Sequence, residues 1–314
     1  MKTRRKPLKL LPYLGLLAGL IIIAYFPVTE LVDSWRRQQV IDNLEQTVYQ
    51  SDDSQRQEML AQARAWNEKL AGKIPEIPAD QIWPYEKQLA PQGYDVAFSY
   101  IVIPDISLKM PVYHGTENSA LSAGVGHLEG TSLPIGGADT HAVLTAHSGM
   151  QNMRAFDDIR DLNNGDVFGV KTQGELCTYQ VYDIETVLPD EIDSLTIQPG
   201  EDLCTLITCT PYGVNTHRLL VHGRRCPIPD GFGETRMDAT DVIKNRRVWP
   251  FLLALAAILI ILFIAYRKKN GNKERKVDYE EKLIALHCRT ECRCDVCDAD
   301  GKCRGCATDN SRSR

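Results

Sequence analysis

Two stretches of this 314-residue chain are long, apolar and free of charge. Leu10 to Thr29 is the first, 20 residues centred on LLAGLIIIAYF, and Val248 to Tyr266 is the second, 19 residues reading VWPFLLALAAILIILFIAY. At about 1.5 Å per residue each is long enough to cross a hydrocarbon core of roughly 30 Å. Neither shows the polar face of a helix half-buried in a soluble core. Transmembrane helices are therefore predicted at 10–29 and 248–266. No small-x-small cleavage site follows Ala24, and bulky Tyr25 and Phe26 come next, which favours an uncleaved anchor over a signal peptide.

Between these spans the pattern changes twice. Leu31, Val32, Trp35, Val40, Ile41, Leu44 and Val48 recur at three-to-four spacing, and after Pro27 no Gly or Pro intervenes before Gly72. This predicts an amphipathic helix over 31–71, the body of a helical stalk assigned to 30–79. Pro75, Pro78, Pro84 and Pro91 then break the chain into an irregular segment. From Val96 the runs become short and β-branched: SYIVI, THAVLTAH, GDVFGVKT, ELCTYQVYDIETV, LCTLITCT and HRLLVHGRR. Roughly seven or eight such strands over 96–226 predict an antiparallel-rich barrel or sandwich. Residues 227–247 read as a linker, 1–9 as a short N-terminus and 267–314 as a tail.

Charge changes the picture more than composition does. The chain holds 36 Lys+Arg and 41 Asp+Glu, a net of −5, with 25% charged and 43% hydrophobic residues. These values exclude wholesale disorder, collagen-like repetition and a polybasic nucleic-acid binder. The average hides a division. Residues 1–26 carry 5 basic and no acidic side chains, and 267–314 carry 13 and 9, leaving 18 basic and 32 acidic between them, a net of −14. Lys2, Arg4, Arg5, Lys6 and Lys9 flank the first span, and Arg267, Lys268 and Lys269 follow the second. The positive-inside rule then predicts cytoplasmic termini, with 30–247 outside the cell. An acidic exterior argues against nucleic acid as a partner.

The ten cysteines divide into Cys177, Cys204, Cys209 and Cys226 outside and six in the tail. Cys209 ends the run Thr205-Leu206-Ile207-Thr208-Cys209 and opens into a turn at Thr210-Pro211. A thiol there is held rigidly yet within reach, although a plain core cysteine has the same pattern. His147 closes AVLTAH before Ser148-Gly149, again where a strand meets a turn. Arg218 lies nine residues after Cys209, a spacing suited to a hairpin. A thiolate, an imidazolium and a guanidinium at strand ends are the parts of an acyl-transfer site. His217 points to the opposite face from Arg218. His222 shares the Arg218 face but falls past the expected strand end, and His114, His127 and His141 read as turn or packing residues. Cys177 and Cys204 allow a disulfide outside the cell, with two separate buried thiols favoured.

The blocks GVGHLEGTSLPIGG (124–137), HAVLTAH (141–147) and TLITCTPYGVNTHRLLVHGRR (205–225) occur in the order and spacing of the sortases. Over residues 80–226 the chain resembles class C, the pilus-assembling sortases of Gram-positive cell surfaces. The resemblance implies a mainly β fold, a closed sortase-like β-barrel with N-terminal helices, flanked here by the two membrane spans. It implies Cys209 as nucleophile, His147 as general acid/base and Arg218 as stabiliser of substrate and oxyanion. The implied reaction cleaves an LPxTG-like sorting signal after Thr, forms a thioacyl-enzyme and passes the acyl group to a pilin lysine amine, with no cofactor. Alternatives are a sortase that attaches surface proteins to the cell wall, and a non-catalytic membrane receptor or sensor.

Class C enzymes often carry an Asp-Pro-aromatic lid tripeptide, which is absent here. The nearest candidate lies in segment 80–95, where Asp80, Trp83 and Tyr85 are the predicted lid residues, with a plain structural loop as the alternative. Inside the cell, HCRTECRCDVCDADGKCRGC places six cysteines at C-x3-C-x-C-x2-C-x5-C-x2-C spacing. In a reducing compartment Cys294, Cys297, Cys303 and Cys306 form a candidate four-thiolate zinc site. Their five-residue gap is shorter than in most zinc ribbons, and the other readings are a redox-sensitive or lipid-modified tail, or a tail with no bound ligand.

Overall fold

Residues 11–90, 93, 96–149, 155–211, 213–232 and 253–264, with 267, 268, 279, 282 and 283, are described by the computed structural model. Residues 24–248 make up one compact unit, and 1–23 with 249–314 the other. In the larger unit eight strands alternate apolar residues inward: β1 Ser99–Ile103, β2 Leu108–His114, β3 Val125–His127, β4 Thr140–Thr145, β5 Val167–Thr172, β6 Glu175–Val187, β7 Asp202–Thr210 and β8 His217–Cys226. They close into a barrel in the order β1-β2-β3-β4-β7-β8-β6-β5. Of the two architectures left open by the strand pattern, the barrel is the one formed. Most pairings are antiparallel, but β2–β3 and β4–β7 run parallel. Parallel neighbours need a crossover, and between β2 and β3 it contains a short helix, Asn118–Ala123.

The interior is filled by Phe98, Ile101, Ile103, Met110, Leu144, Phe168, Tyr179 and Leu206. Gly223 in β8 is fixed by this packing. A β-carbon at that position would lie 2.5 Å from Cζ of Phe168. The Phe168 ring stacks on Tyr179 at a centroid distance of 5.6 Å and is fully buried, so it has nowhere to retreat.

The N-terminal helices differ from the predicted stalk. The first helix, α1, runs Leu11–Gln50 and the second, α2, Asp53–Leu70, with a break at Ser51–Asp52. The Ser51 hydroxyl donates to the Val48 carbonyl at 2.7 Å, and Asp52 is extended with its carboxylate accepting from the Ser54 hydroxyl. Short polar side chains that bond the local backbone favour helix ends over helix interiors. Both helices dock on the barrel. Ile41, Leu44 and Val48 of α1 cluster with Ala97, Tyr100, Val102 and Tyr113, and Glu45 accepts from the Tyr100 hydroxyl and the Lys171 ammonium. From α2, Met59, Leu60 and Ala63 enter the main core. The Asn67 amide bonds the Leu133 backbone in both directions, at 3.0 and 2.7 Å. The apolar stripe from Ile41 to Ala63 thus meets the barrel wall, whereas Val32 and Trp35, nearer the start of α1, are exposed.

Among the described residues no helix is long and apolar enough to cross a membrane. The predicted span 10–29 begins outside the described residues, and many of its side chains lie outside them too. The span 248–266 is described as helix at 253–264, the linker 227–247 only to residue 232, and residues 1–9 not at all.

Segment 80–95 is anchored through Tyr85, which is 3% exposed. Its hydroxyl lies 2.9 Å from Nδ1 of His127 and accepts from the Gly115 N–H at 3.0 Å. His127 Nε2 faces the Ser132 carbonyl at 2.8 Å, which fixes the neutral Nε2–H tautomer. Burial pushes His127 and His114 down from 6.5 to about 4.

Two outcomes follow from this packing. Gly223→Ala should lower the unfolding free energy by about 1–3 kcal/mol, the range for overpacking a dense core, read from urea denaturation at neutral pH. The second concerns acid. Between pH 6.5 and about 4 the unfolded chain protonates imidazoles that the barrel keeps neutral. Their contribution is therefore complete above the unfolded value and drains away as pH falls toward 4. The urea midpoint should fall across that window, and less steeply in His127→Gln than in the unsubstituted chain.

Candidate active site

The β7–β8 hairpin places Cys209 directly opposite Arg218 in an antiparallel register, with Thr210 opposite His217. The turn that sets this register is closed by the N–H groups of Val214 and Asn215, both donating to the Pro211 carbonyl at 3.0 Å. Gly213 and Asn215 supply positive φ there, at 75° and 62°, values that glycine and asparagine tolerate best. Cross-strand partners share one face of a sheet. Cys204, Leu206 and Val221 belong to the core, so Cys209 and Arg218 stand on the outward face of their strands.

His147 reaches the same face from β4. The parallel β4–β7 ladder pairs Thr145 with Ile207, and the chain beyond it is stitched on residue by residue. The Ala146 N–H donates to the Ile207 carbonyl at 3.1 Å, and the Thr208 hydroxyl donates to the Ala146 carbonyl at 2.9 Å. The Ser148 hydroxyl donates to the carbonyl of Cys209 itself. On the other side, the Phe156 N–H donates to the His147 carbonyl at 3.1 Å. His147 therefore has no freedom to drift along the strand.

All three predicted residues line one cleft of about 390 Å³, and all three are half-buried. The sheet side of the cleft is apolar, with Ala146, Ile207 and Leu220. Its far wall is the segment between β6 and β7, contributing Leu188, Ile192 and Leu195. Nη1 of Arg218 donates to the carbonyls of Asn215 and His217 at 3.2 and 3.1 Å. These bonds orient a five-donor fork and leave further N–H groups for a substrate oxygen. An accessible thiol, an imidazole and a guanidinium in an apolar cleft can perform acyl transfer on a peptide carbonyl.

The other cysteines are unlike Cys209. Cys177 and Cys204 are free and buried, as favoured over a disulfide, and burial pushes both thiols up, Cys204 well above the usual range. Such thiols stay neutral and are poor nucleophiles. Cys226 is free and half-buried at the end of β8.

The predicted lid residues are placed elsewhere. None of Asp80, Trp83 and Tyr85 lines the cleft among the described residues. Asp80 is exposed, Trp83 packs against the core edge with its backbone N–H donating to the Gln62 side-chain oxygen, and Tyr85 is locked onto His127. A tyrosine buried and bonded in this way anchors the segment to the barrel. His222 also differs from expectation, since it lies inside β8 opposite Thr205. The part of the site that the sequence pattern does not reveal is the 188–201 wall, whose signal is the apolar Leu188, Ile192, Leu195 and Ile197 within a polar loop. The six tail cysteines, including Cys294, Cys297, Cys303 and Cys306, lie outside the described residues.

Comparison with known proteins agrees with this geometry. The sortase-domain family profile matches residues 101–226. Sortase A of Streptococcus agalactiae is 28% identical over 126 residues, which are 39% of this chain; the match spans 50% of that relative. The crystal structure of sortase C1 from Streptococcus agalactiae superposes with a TM-score of 0.55 at 40% identity, covering 60% of this chain and 98% of that one. Sortase C of Clostridium perfringens, solved with the C-terminal cell wall sorting motif, gives a TM-score of 0.52 at 38% identity, covering 60% and 98%. Barrel, cleft and these likenesses together place the chain in the sortase family, alongside its class C members.

Proposed function

We propose that this chain is a membrane-anchored cysteine transpeptidase that cleaves LPxTG-like sorting signals and transfers the acyl group to a lysine amine of a pilin subunit. One observation carries the reading: Cys209 and Arg218 are cross-strand partners, and both share a single cleft with His147. The Cys209 thiolate attacks the Thr carbonyl of the signal, and N–H groups of Arg218 meet the oxygen on which negative charge develops. The His147 imidazolium gives its proton to the departing amine, leaving a thioester on Cys209. An incoming lysine amine then attacks that thioester and loses its proton to His147, the amide forms, and the Cys209 thiolate and His147 imidazolium are regenerated. The chemistry draws on no metal or organic cofactor.

The pilin acceptor is supported by the likeness to sortase C1 structures, among them one described as sortase C1 of a pilus island. A cell-wall amine is the competing acceptor. Anchoring is supported by the uncharged stretches 10–29 and 248–266 and their basic flanks, which suit two membrane crossings with the barrel outside. In the tail, Cys294, Cys297, Cys303 and Cys306 are proposed as thiolate ligands of a zinc ion.

The test is to incubate the full chain, in detergent or nanodiscs, with a sorting-signal peptide and competing amines, and to identify products by mass. We expect a new amide between the Thr carboxyl and a pilin lysine. Transfer only to cell-wall amines would replace the pilus reading with wall anchoring. Cys209→Ala should abolish transfer, and its persistence would favour a binding module. Arg218→Lys, which keeps charge but loses the fork, should lower kcat/KM by about 10²–10³. For the tail, the purified chain should carry zinc that Cys294→Ser with Cys303→Ser removes without changing transfer.

A further inference from the structure

The outward face that carries Cys209 and Arg218 continues away from the cleft as a row of polar side chains. His141 on β4, Thr205 on β7, His222 on β8 and Glu185 on β6 follow one another across four adjacent strands. His141, Thr205 and His222 are 1%, 0% and 3% exposed. Nε2 of His141 lies 2.7 Å from the Thr205 hydroxyl oxygen, that oxygen 2.8 Å from Nδ1 of His222, and Nε2 of His222 3.0 Å from the Glu185 carboxylate. Both ends of the row hold the 188–201 wall. Nδ1 of His141 lies 3.0 Å from the Thr196 carbonyl, and Glu185 accepts from the Ser194 side chain.

The hydrogens in this row can be counted. The Thr196 carbonyl and the Glu185 carboxylate only accept. The four contacts from Thr196 through His141, Thr205 and His222 to Glu185 therefore need four hydrogens. Two neutral imidazoles and one hydroxyl supply three, so one contact would set two lone pairs against each other, in a row whose two inner contacts are buried and whose two end contacts are part-buried. A second ring proton on one histidine completes the row. Glu185 beside His222 favours that ring. Burial, reinforced by neighbouring His222, pushes His141 down, against the pull of its bond to Thr196. Other groups facing His222 are the Tyr182 ring at 6.0 Å, with Arg224 stacked on it and paired to Glu201, and Asp183 in the opposing register position.

We propose that His141, Thr205, His222 and Glu185 are positioning residues of the transpeptidase site: with His222 as the imidazolium they latch the 188–201 wall onto the barrel, and loss of that proton slackens the wall and weakens peptide binding. The proposal rests on the cleft reading above in taking a peptide as the bound substrate. Atoms balance simply, since one proton passes from His222 to solvent. With the latch closed, His222 donates to Glu185 and to Thr205, Thr205 donates to His141, and His141 donates to Thr196. Glu185→Gln separates this from a merely structural role. The amide can donate to a neutral His222 Nε2, so the row is complete with three ring and hydroxyl hydrogens plus its own.

The experiment uses the full chain in detergent, with a sorting-signal peptide for kinetics and ring-15N histidine for NMR, from about pH 6 to about pH 9, across and above the ordinary imidazole range. KM should rise about fivefold with pH in the unsubstituted chain, the weight of roughly one net hydrogen bond, and stay flat in Glu185→Gln. NMR should find His222 doubly protonated while His141 is the neutral Nδ1–H tautomer, and amide exchange over 188–201 should quicken as His222 loses its proton. An unchanged KM slope in Glu185→Gln, or a neutral His222 throughout with exchange unaltered, overturns the proposal. If the chain cleaves no sorting signal, the transpeptidase reading fails on its own, and the NMR and exchange arms still decide whether the latch exists.

Discussion

The register of one hairpin governs the rest of the site. Cys209 faces Arg218 because the β7–β8 turn holds a fixed number of residues. A slip of one residue would send every side chain of one strand to the opposite face. The thiol would then enter the core, where burial already holds Cys177 and Cys204 as neutral thiols. Barrel closure protects that register from both sides, since β7 lies between β4 and β8 and cannot slide without breaking two ladders. The parallel β4 ladder then delivers His147, and the bonds from Thr208 and Ser148 to its neighbours make the stitching specific. The Cys209 thiol is thereby presented on rigid elements, while the apolar wall opposite it comes from a loop.

This division between a rigid floor and a tethered wall explains the two kinds of buried polar group in the barrel. His127 is held neutral within a closed set of bonds to Tyr85 and Ser132, and it ties the pre-barrel segment down. The His141-to-Glu185 row ends on groups that only accept, so its hydrogen supply depends on the proton held by an imidazole. Both arrangements follow from the same rule, that a buried polar atom needs a partner. They differ in whether the ring hydrogens suffice.

Much of the barrel was legible in the sequence, for physical reasons. Period-two alternation and turn residues marked the strands, and the nine-residue gap from Cys209 to Arg218 matched a hairpin. His147 was legible as the end of a strand. Closure was not, because the strand pattern alone does not distinguish a barrel from a sandwich. The docking of the helices from Ile41 to Ala63 was hidden as well, since an amphipathic stripe reads the same whether it meets a barrel or nothing at all. The chain position of Tyr85 suits a lid and an anchor equally, and its burial against His127 is visible only in the folded barrel. His222 falls past the predicted end of its strand, and element boundaries are the part of a fold that a sequence pattern marks least well. Its partners Thr205 and Glu185 come from two other strands, and no local spacing could have gathered them.

The central question is which sulfur carries the acyl group. Intact-mass and peptide mapping of the full chain, quenched soon after mixing with a sorting-signal peptide, reads this directly. The expected result is a mass increase equal to the N-terminal fragment of the peptide, mapped to Cys209, with the C-terminal fragment released in equal amount. An adduct on Cys226 or another cysteine, or cleavage without any thioester, would contradict it.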